Sequence, residues 1–265
     1  MSEPSSSGEA PFVWPAVRTF GADAPWRWLA KGAADLRAAP AASLFYGAVM
    51  AVMGLLLTHY YAGAVGLALT TGFLLVGPFL AIGLYDVSRR RERGERVRLA
   101  PTLTAWKPNI AAISFYALIL MLSLAIWIRV SVVVVALFFP GGAPSLAGFI
   151  AELGRSPDAW FFLAAYAAAG AGLALLAFAV SAVSLPMLLD RESMDAISAM
   201  IVSFNVLRRN FLPMLVWGGI IVALVALGVA TYFAGLVVTL PVVGHGAWHA
   251  YREAVEPPGG HGGHP

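Results

Sequence analysis

The sequence predicts an all-α polytopic membrane protein, with six transmembrane helices paired as three hairpins, amphipathic helices at the inner surface and both termini cytoplasmic. Three observations carry this. Apolar residues make up 60% of the 265 residues, charged residues 12%, and the mean hydropathy is +0.79, outside the range of soluble globular domains. The apolar residues gather into blocks long enough to cross a bilayer, which takes about 20 residues per helix. Arginine and lysine gather between alternate blocks, the pattern that marks the cytoplasmic side of a membrane.

Residues 1–21 hold Ser5 to Ser7, three prolines and the acids Glu3 and Glu9, without the basic start and apolar core of a signal peptide, and read as a disordered tail. Residues 22–255 form the transmembrane domain. It opens on Asp23 and Pro25, which suit a helix start, and Trp26, Leu29, Ala33 and Leu36 then recur at helical spacing, away from Arg27, Lys31 and Asp35. That pattern is an amphipathic helix at the inner surface. Spans are expected over about 42–60, 64–86, 110–138 and 160–188. The last apolar block, Phe211 to Tyr251, is twice the length of one crossing, so a fold-back near Ala230 to Gly235 divides it into 211–229 and 233–251. A second amphipathic segment, opened by Glu192 to Asp195, carries Ile197, Met200, Ile201, Phe204 and Leu207; a shorter one is Leu99 to Trp106. Residues 256–265, almost entirely Gly, Pro and His, form a second disordered tail.

The charges support that count. With both termini cytoplasmic, Arg27, Lys31, Arg37, the Arg89 to Arg98 cluster, Lys107, Arg191, Arg208, Arg209 and Arg252 all lie inside, leaving Arg155 outside and Arg129 near the outer interface. The net charge of +3 finds its counter-charge in the bilayer, as anionic lipids at the inner surface, and nucleic acid is not an expected partner. The absence of cysteine excludes disulfides and thiolate chemistry.

The returning helices share a signature. Pro78 is followed by Gly83, Tyr85 and Arg89, and Pro241 at the same offsets by Gly246, Trp248 and Arg252; the middle unit keeps Pro186 and Arg191. Internal symmetry with broken helices occurs in transporters. Proline kinks, glycine contacts and interfacial Tyr, Trp and Arg are also ordinary features of membrane helices, and the structural reading is favoured.

Four groups of polar residues are site candidates. Arg129 lies inside an apolar stretch, at a depth from which it can snorkel outward and pair with Glu152 or Asp158. His245 and His249, four apart on the last helix, have ligand spacing for zinc, copper or haem iron, but they form an incomplete set. No metal or other cofactor is expected. Hydrogen bonds to carbonyls or lipid phosphate in the belt of Trp248 and Tyr251 are the favoured role. Asp86 and Asp190 end returning helices beside Arg89 and Arg191 and read as anchoring ion pairs, with no nucleophile or metal partner to make them catalytic.

Gly72 to Glu95, Ser184 to Arg191 (SLPMLLDR), Leu240 to Arg252 (LPVVGHGAWHAYR) and Trp28 to Tyr46 resemble the signature segments of the bacterial domain-of-unknown-function family 2189. The resemblance implies a six-span inner-membrane protein and supplies no reaction. His245 and His249 match the family pattern, which implies a shared structural or binding role.

Three function classes remain. The favoured reading is an accessory, scaffold or assembly component, with other membrane subunits as possible partners, because Ala164 to Gly172 (AAYAAAGAG) offers a face that a second helix can approach closely. The alternative is a small transporter or channel for a neutral or apolar substrate. Its midplane would hold only Thr70, Thr71, Ser123, Ser181 and Ser184, with no carboxylate for ion coupling. An enzyme ranks last, since no nucleophile, metal or nucleotide motif is present.

Overall fold

The computed structural model describes residues 14–59, 63–141 and 146–257, with side chains over 14–59, 77–141 and 148–257. The described chain is helical: α1 Ala24–Ala38, α2 Pro40–His59, α3 Gly63–Glu92, α4 Leu99–Thr102, a 3-10 turn Lys107–Asn109, α5 Ile110–Phe138, α6 Leu146–Leu153, α7 Pro157–Ser181, α8 Ser184–Asp190, α9 Ala196–Arg209, α10 Phe211–Ala230 and α11 Leu236–Ala254. Among the described residues, four stretches are long and apolar enough to cross a membrane: Pro40–His59, Leu99–Phe138, Pro157–Asp190 and Phe211–Ala230.

The chain runs as three units, each a segment at the arginine-rich end followed by an outgoing and a returning helix. The fold-back is at residues 231–235, where Tyr232 and Phe233 take φ of 51° and 66°, left-handed values that side chains with a Cβ adopt only under constraint. Phe233 supplies that constraint by packing against Gly54 of α2.

Each outgoing helix buries its fourth and seventh residues: Ser43 and Tyr46 in α2, Ile113 and Tyr116 in α5, Met214 and Trp217 in α10. The eighth is small in all three, namely Gly47, Ala117 and Gly218. In the first and third units the large ring meets a glycine of the returning helix, Tyr46 against Gly83 and Trp217 against Gly246. In the middle unit Tyr116 faces Ser181 of α7, and the returning helix is broken at residues 182–183 before α8 begins. Helix α9 compensates the break, since Ser203 Oγ accepts from the Val183 amide at 3.3 Å and Ser184 Oγ donates to the Ala199 carbonyl at 3.1 Å.

The core lies at the arginine-rich end. Trp28 of α1, Trp217 of α10 and Trp248 and Tyr251 of α11 are buried there, with Trp28 and Trp217 edge to face at 5.7 Å. Residues 14–21, which the sequence assigns to the N-terminal tail, are instead ordered on this core. Val17 forms an antiparallel bridge with Val255, the Arg18 amide donates to the Ala254 carbonyl at 2.9 Å, and Phe20 packs on Trp28. Residues 16–18 and 254–256 are therefore clipped together at one end of the described structure. The remainder of both predicted tails, 1–13 and 258–265, lies outside the described residues.

Two helix faces differ from the expected ones. In α1 the buried stripe is Ala24, Trp28, Gly32 and Asp35, while Trp26 is 59% exposed. Asp35, assigned by periodicity to the solvent side, thus points into the protein. In α9, Met200 and Leu207 turn inward while Ile197, Ile201 and Phe204 face out. Asp195 caps this helix, its carboxylate accepting from the Ser198 amide at 2.8 Å, and those hydrogen bonds hold its carboxyl below the ordinary range.

Candidate functional site

Glycines bring four helices close enough for polar groups to meet around the last turns of α11. A Cβ at Gly32 of α1 would strike the backbone of Val242 and Gly246, one at Gly47 of α2 the Val237 carbonyl, and one at Gly244 of α11 the Leu84 side chain of α3. Pro241 has no N–H to give the Val237 carbonyl, so the carbonyl that α2 approaches lacks its helical donor.

Into this junction α1 sends Asp35, α2 Ser43, α3 Ser88 and Arg91, and α11 His245 and His249. The His245 ring is fully buried; its Nε2 lies 2.8 Å from Ser43 Oγ and its Nδ1 2.8 Å from Ser88 Oγ. Ser88 Oγ donates to Asp35 Oδ2 at 2.5 Å, His249 Nε2 meets the same oxygen at 2.9 Å, and Arg91 pairs with Oδ1. Burial alone would raise the Asp35 carboxyl, but the hydrogen bonds from His249 and Ser88 and the charge of the histidines outweigh it and hold the group below its ordinary 3.8. An ionised carboxylate only accepts, so both Ser88 and His249 Nε2 donate to it.

A second layer surrounds this one. Asp86, fully buried, pairs with Arg89 at 2.6 Å and Arg90 at 2.8 Å, and Arg89 also donates to the Leu189 carbonyl at 2.9 Å. The expected Asp86 and Arg89 pair is therefore present. The expected partner of Asp190 is not: Asp190 accepts from the Tyr251 hydroxyl at 2.9 Å and pairs with Arg252 at 3.3 Å and Arg93 at 3.7 Å. Arg191 turns instead to the Tyr251 hydroxyl and the Glu256 carbonyl, because α8 ends at Asp190 and Arg191 takes an extended conformation. Arg252 also pairs with Glu92 at 2.9 Å, and Trp248 Nε1 donates to Glu92 at 3.0 Å.

The remaining candidates fall elsewhere. Pro78 and Pro241 lie inside α3 and α11, whereas Pro186 sits in the first turn of the short α8. Tyr85 packs partly buried against the core. Arg129 is exposed on α5, and among the described residues no ion pair joins it to Glu152 or Asp158. The side chains of Thr70 and Thr71 lie outside the described residues, as do His261 and His264.

The site's chemistry is set by what each group already holds. His245 bonds to two hydroxyls and to the Leu84 backbone and His249 to a carboxylate, and among the described residues no group of three or more His, Asp or Glu could hold a metal ion. Ser43, His245 and Asp35 have the residue types of a hydrolase triad. Ser43 is fully buried within α2 and lies 2.9 Å from the Ala39 carbonyl, so an acyl substrate has no approach to its hydroxyl. What opens to the surface is His249, in a cavity of about 470 Å³ lined also by Lys31, Glu92, Arg252 and Glu253. Asp35, Ser43 and Ser88 are the members that sequence reasoning missed. The available signal was their position: Ser43 lies four residues and Asp35 four residues from Ala39, on the two helices flanking the turn.

No curated protein and no solved structure matches the chain. The family model described as predicted integral membrane protein (DUF2189) matches residues 66–190, which run from α3 to the end of α8 and hold Pro78, Tyr85, Asp86, Arg89, Pro186 and Asp190. Over that stretch the chain is similar to the family of predicted integral membrane proteins to which its sequence segments point.

Proposed function

We propose that this is a six-span protein of the bacterial inner membrane, both termini cytoplasmic, acting as an accessory, scaffold or assembly component of a larger membrane complex. The observation that carries the reading is the far half of the middle hairpin. From Leu118 to Phe138 of α5, and between Ala159 and Ala179 of α7, no residue is buried, and Ala164, Ala167, Ala168, Ala171 and Gly172 present small side chains outward. Such a face suits close approach of a helix from another subunit.

Chain continuity supports six crossings. If α2 and α10 each cross, α3 must bring the chain back to α4 and α11 must bring Val255 back to Val17. The arginines at that end support a cytoplasmic placement. Of the six between Arg89 and Arg98, Arg96 and Arg98 form no ion pair among the described residues and are the ones available to anionic lipid head groups. On this topology Arg129, the twentieth residue of α5, lies about 29 Å from the start of the helix. That is near the outer edge of a hydrocarbon core of about 30 Å, within snorkelling reach of the interface.

A second reading, a facilitator for an apolar substrate, has one observation in its favour. An apolar groove of about 480 Å³ lies between α5 and α7, lined by Leu120, Ser123, Trp127, Gly170, Leu173 and Ala177. The Ser123 hydroxyl is spent on the Ile119 carbonyl of its own helix at 2.9 Å, so it does not serve a substrate as a donor.

The test is purification from native membranes in mild detergent with mass spectrometry of what copurifies. Stoichiometric membrane subunits are expected; a clean monomer that moves an apolar solute after reconstitution would replace this reading with the second. Because the chain has no cysteine, single cysteines at Gly94 and Arg155 report the topology by impermeant labelling, with labelling expected from the cytoplasmic and outer sides respectively.

A further inference from the structure

We propose that His245 is a proton-accepting site, built so that the buried ring keeps every hydrogen bond in both charge states. The proposal goes beyond the accessory reading and does not depend on it.

The argument is a count of hydrogens. Asp35 is ionised and only accepts, so the single Ser88 hydroxyl proton points at Asp35 Oδ2, 2.5 Å away. Ser88 can then only accept from His245, which places a hydrogen on Nδ1. At the other ring nitrogen, Ser43 Oγ lies 2.8 Å from Nε2 and 2.9 Å from the Ala39 carbonyl. It has one proton for two acceptors. When the ring is neutral, Ser43 donates to Nε2. When the ring is an imidazolium, Nε2 donates to Ser43, whose proton turns to the Ala39 carbonyl. Rotation of one hydroxyl therefore converts one fully bonded arrangement into the other, with no helix moved and no buried group orphaned. That matters because a buried ionised group without partners is strongly disfavoured.

Of the charges around the ring, Asp35 favours an imidazolium and Arg91 and His249 oppose it. The ionisable groups facing it are Asp35 from α1, Arg91 from α3 and His249 from its own helix. Helix α2 adds only Ser43 at the ring, and α10 has no ionisable residue at all. Asp35 is the one anion and is already bonded through Ser88 to the ring, so an imidazolium at His245 would share it with Arg91 and His249. Beyond Asp35 the chain of bonds reaches His249, which lines the cavity of about 470 Å³ with Lys31, Glu92, Arg252 and Glu253. These bonds run from the ring toward Asp35, because Nδ1 carries its hydrogen in both charge states; the second proton sits on Nε2, beside Ser43.

The experiment is nitrogen-15 NMR of the full-length chain in lipid nanodiscs, with histidine labelled and the other four histidines each replaced by Gln in turn to assign the His245 ring. The expected result is a neutral ring protonated on Nδ1 at high pH that becomes doubly protonated on acidification while the amide spectrum remains that of the folded protein. Ser43→Ala, which removes the hydroxyl that serves both states, should move the midpoint down by about one pH unit or more, since a hydrogen bond to the charged form is the stronger of the two. Asp35→Asn should lower it as well. A neutral ring carrying its proton on Nε2, a ring that never takes a second proton while the fold persists, or a midpoint unmoved in Ser43→Ala would each overturn the proposal.

Discussion

The arginine-rich end and the far half of the α5 and α7 hairpin are held by different forces. At the first, α1, α2, α3, α10 and α11 close on one another through glycines set against rings and carbonyls, and a buried carboxylate ties three of the five together. At the second, two helices meet through edge-to-face rings, Trp127 with Tyr166 at 5.1 Å and Phe139 with Phe162 at 4.9 Å, and turn most of their surface outward. Specific packing is thus concentrated at one end, and the other end is free to face lipid or a partner. Substitutions that probe glycine contacts and buried charge should be severe at the first and mild at the second.

The largest effect is expected for Asp35→Ala. It leaves Arg91, His249 and Ser88 without their shared acceptor, and removing one member of a buried ion pair costs about 3–5 kcal/mol. Because the folded carboxyl is held below its ordinary 3.8, its contribution is complete above about pH 4 and is lost as the pH falls through the depressed folded value. Thermal melts in detergent should show wild type losing its advantage over Asp35→Ala in acid. An equal gap at pH 7 and well below pH 4 would mean that the carboxylate charge is not what holds α1.

Next comes a matched pair of glycines. In Gly47→Ala the new methyl meets the Val237 carbonyl, backbone that cannot swing aside, and a loss of about 3 kcal/mol is expected from overpacking. In Gly172→Ala nothing lies within 4 Å of the added carbon, and the better helix former should leave stability unchanged or raise it by up to about 1 kcal/mol. Melting temperatures that fall equally in both variants would erase the distinction between the two regions.

Helix positions were legible in the sequence because proline, aspartate and apolar block length mark where a membrane helix starts and stops; the fold-back before Leu236 and the Asp195 cap are examples. Helix faces were less so. Periodicity assigns polar residues to water, and it put Asp35 outside for that reason. In a membrane protein the surroundings are apolar as well, so a carboxylate is better satisfied inside, among Arg91, His249 and Ser88. The same ambiguity split α9, whose two sides are both apolar. The recurrence of Tyr46, Tyr116 and Trp217 at the seventh position of each outgoing helix could be recognised only after the three helix starts were fixed. The hydrogen-bonded chain through His245 joins residues up to 214 apart in sequence, a closeness that no local pattern encodes.

A smaller effect tests the rim of the packed end. Asp195→Ala removes the carboxylate that accepts from the Ser198 amide, and the loss of an exposed helix cap costs about 1 kcal/mol. The measurement is the same melt, made on a background with α9 otherwise intact; Asp195→Asn, which keeps an accepting oxygen, should recover most of the difference. Failure of that rescue would assign the effect to charge at the helix terminus rather than to the cap.

The smallest effect on stability is the most informative about function. Ala168 lies on the exposed small-residue face of α7, so Ala168→Leu adds bulk where the molecule itself has no packing to disturb, and its melting temperature should match that of wild type. A partner helix seated on that face would feel the change directly, because close approach between membrane helices depends on side chains that small. Copurification of membrane subunits should therefore fall several-fold in Ala168→Leu while Gly47→Ala, judged per folded molecule, keeps it. If Ala168→Leu retains every partner that wild type retains, the face is a lipid surface, and the partner contacts lie instead on the exposed apolar side of α9 or at the arginine-rich end.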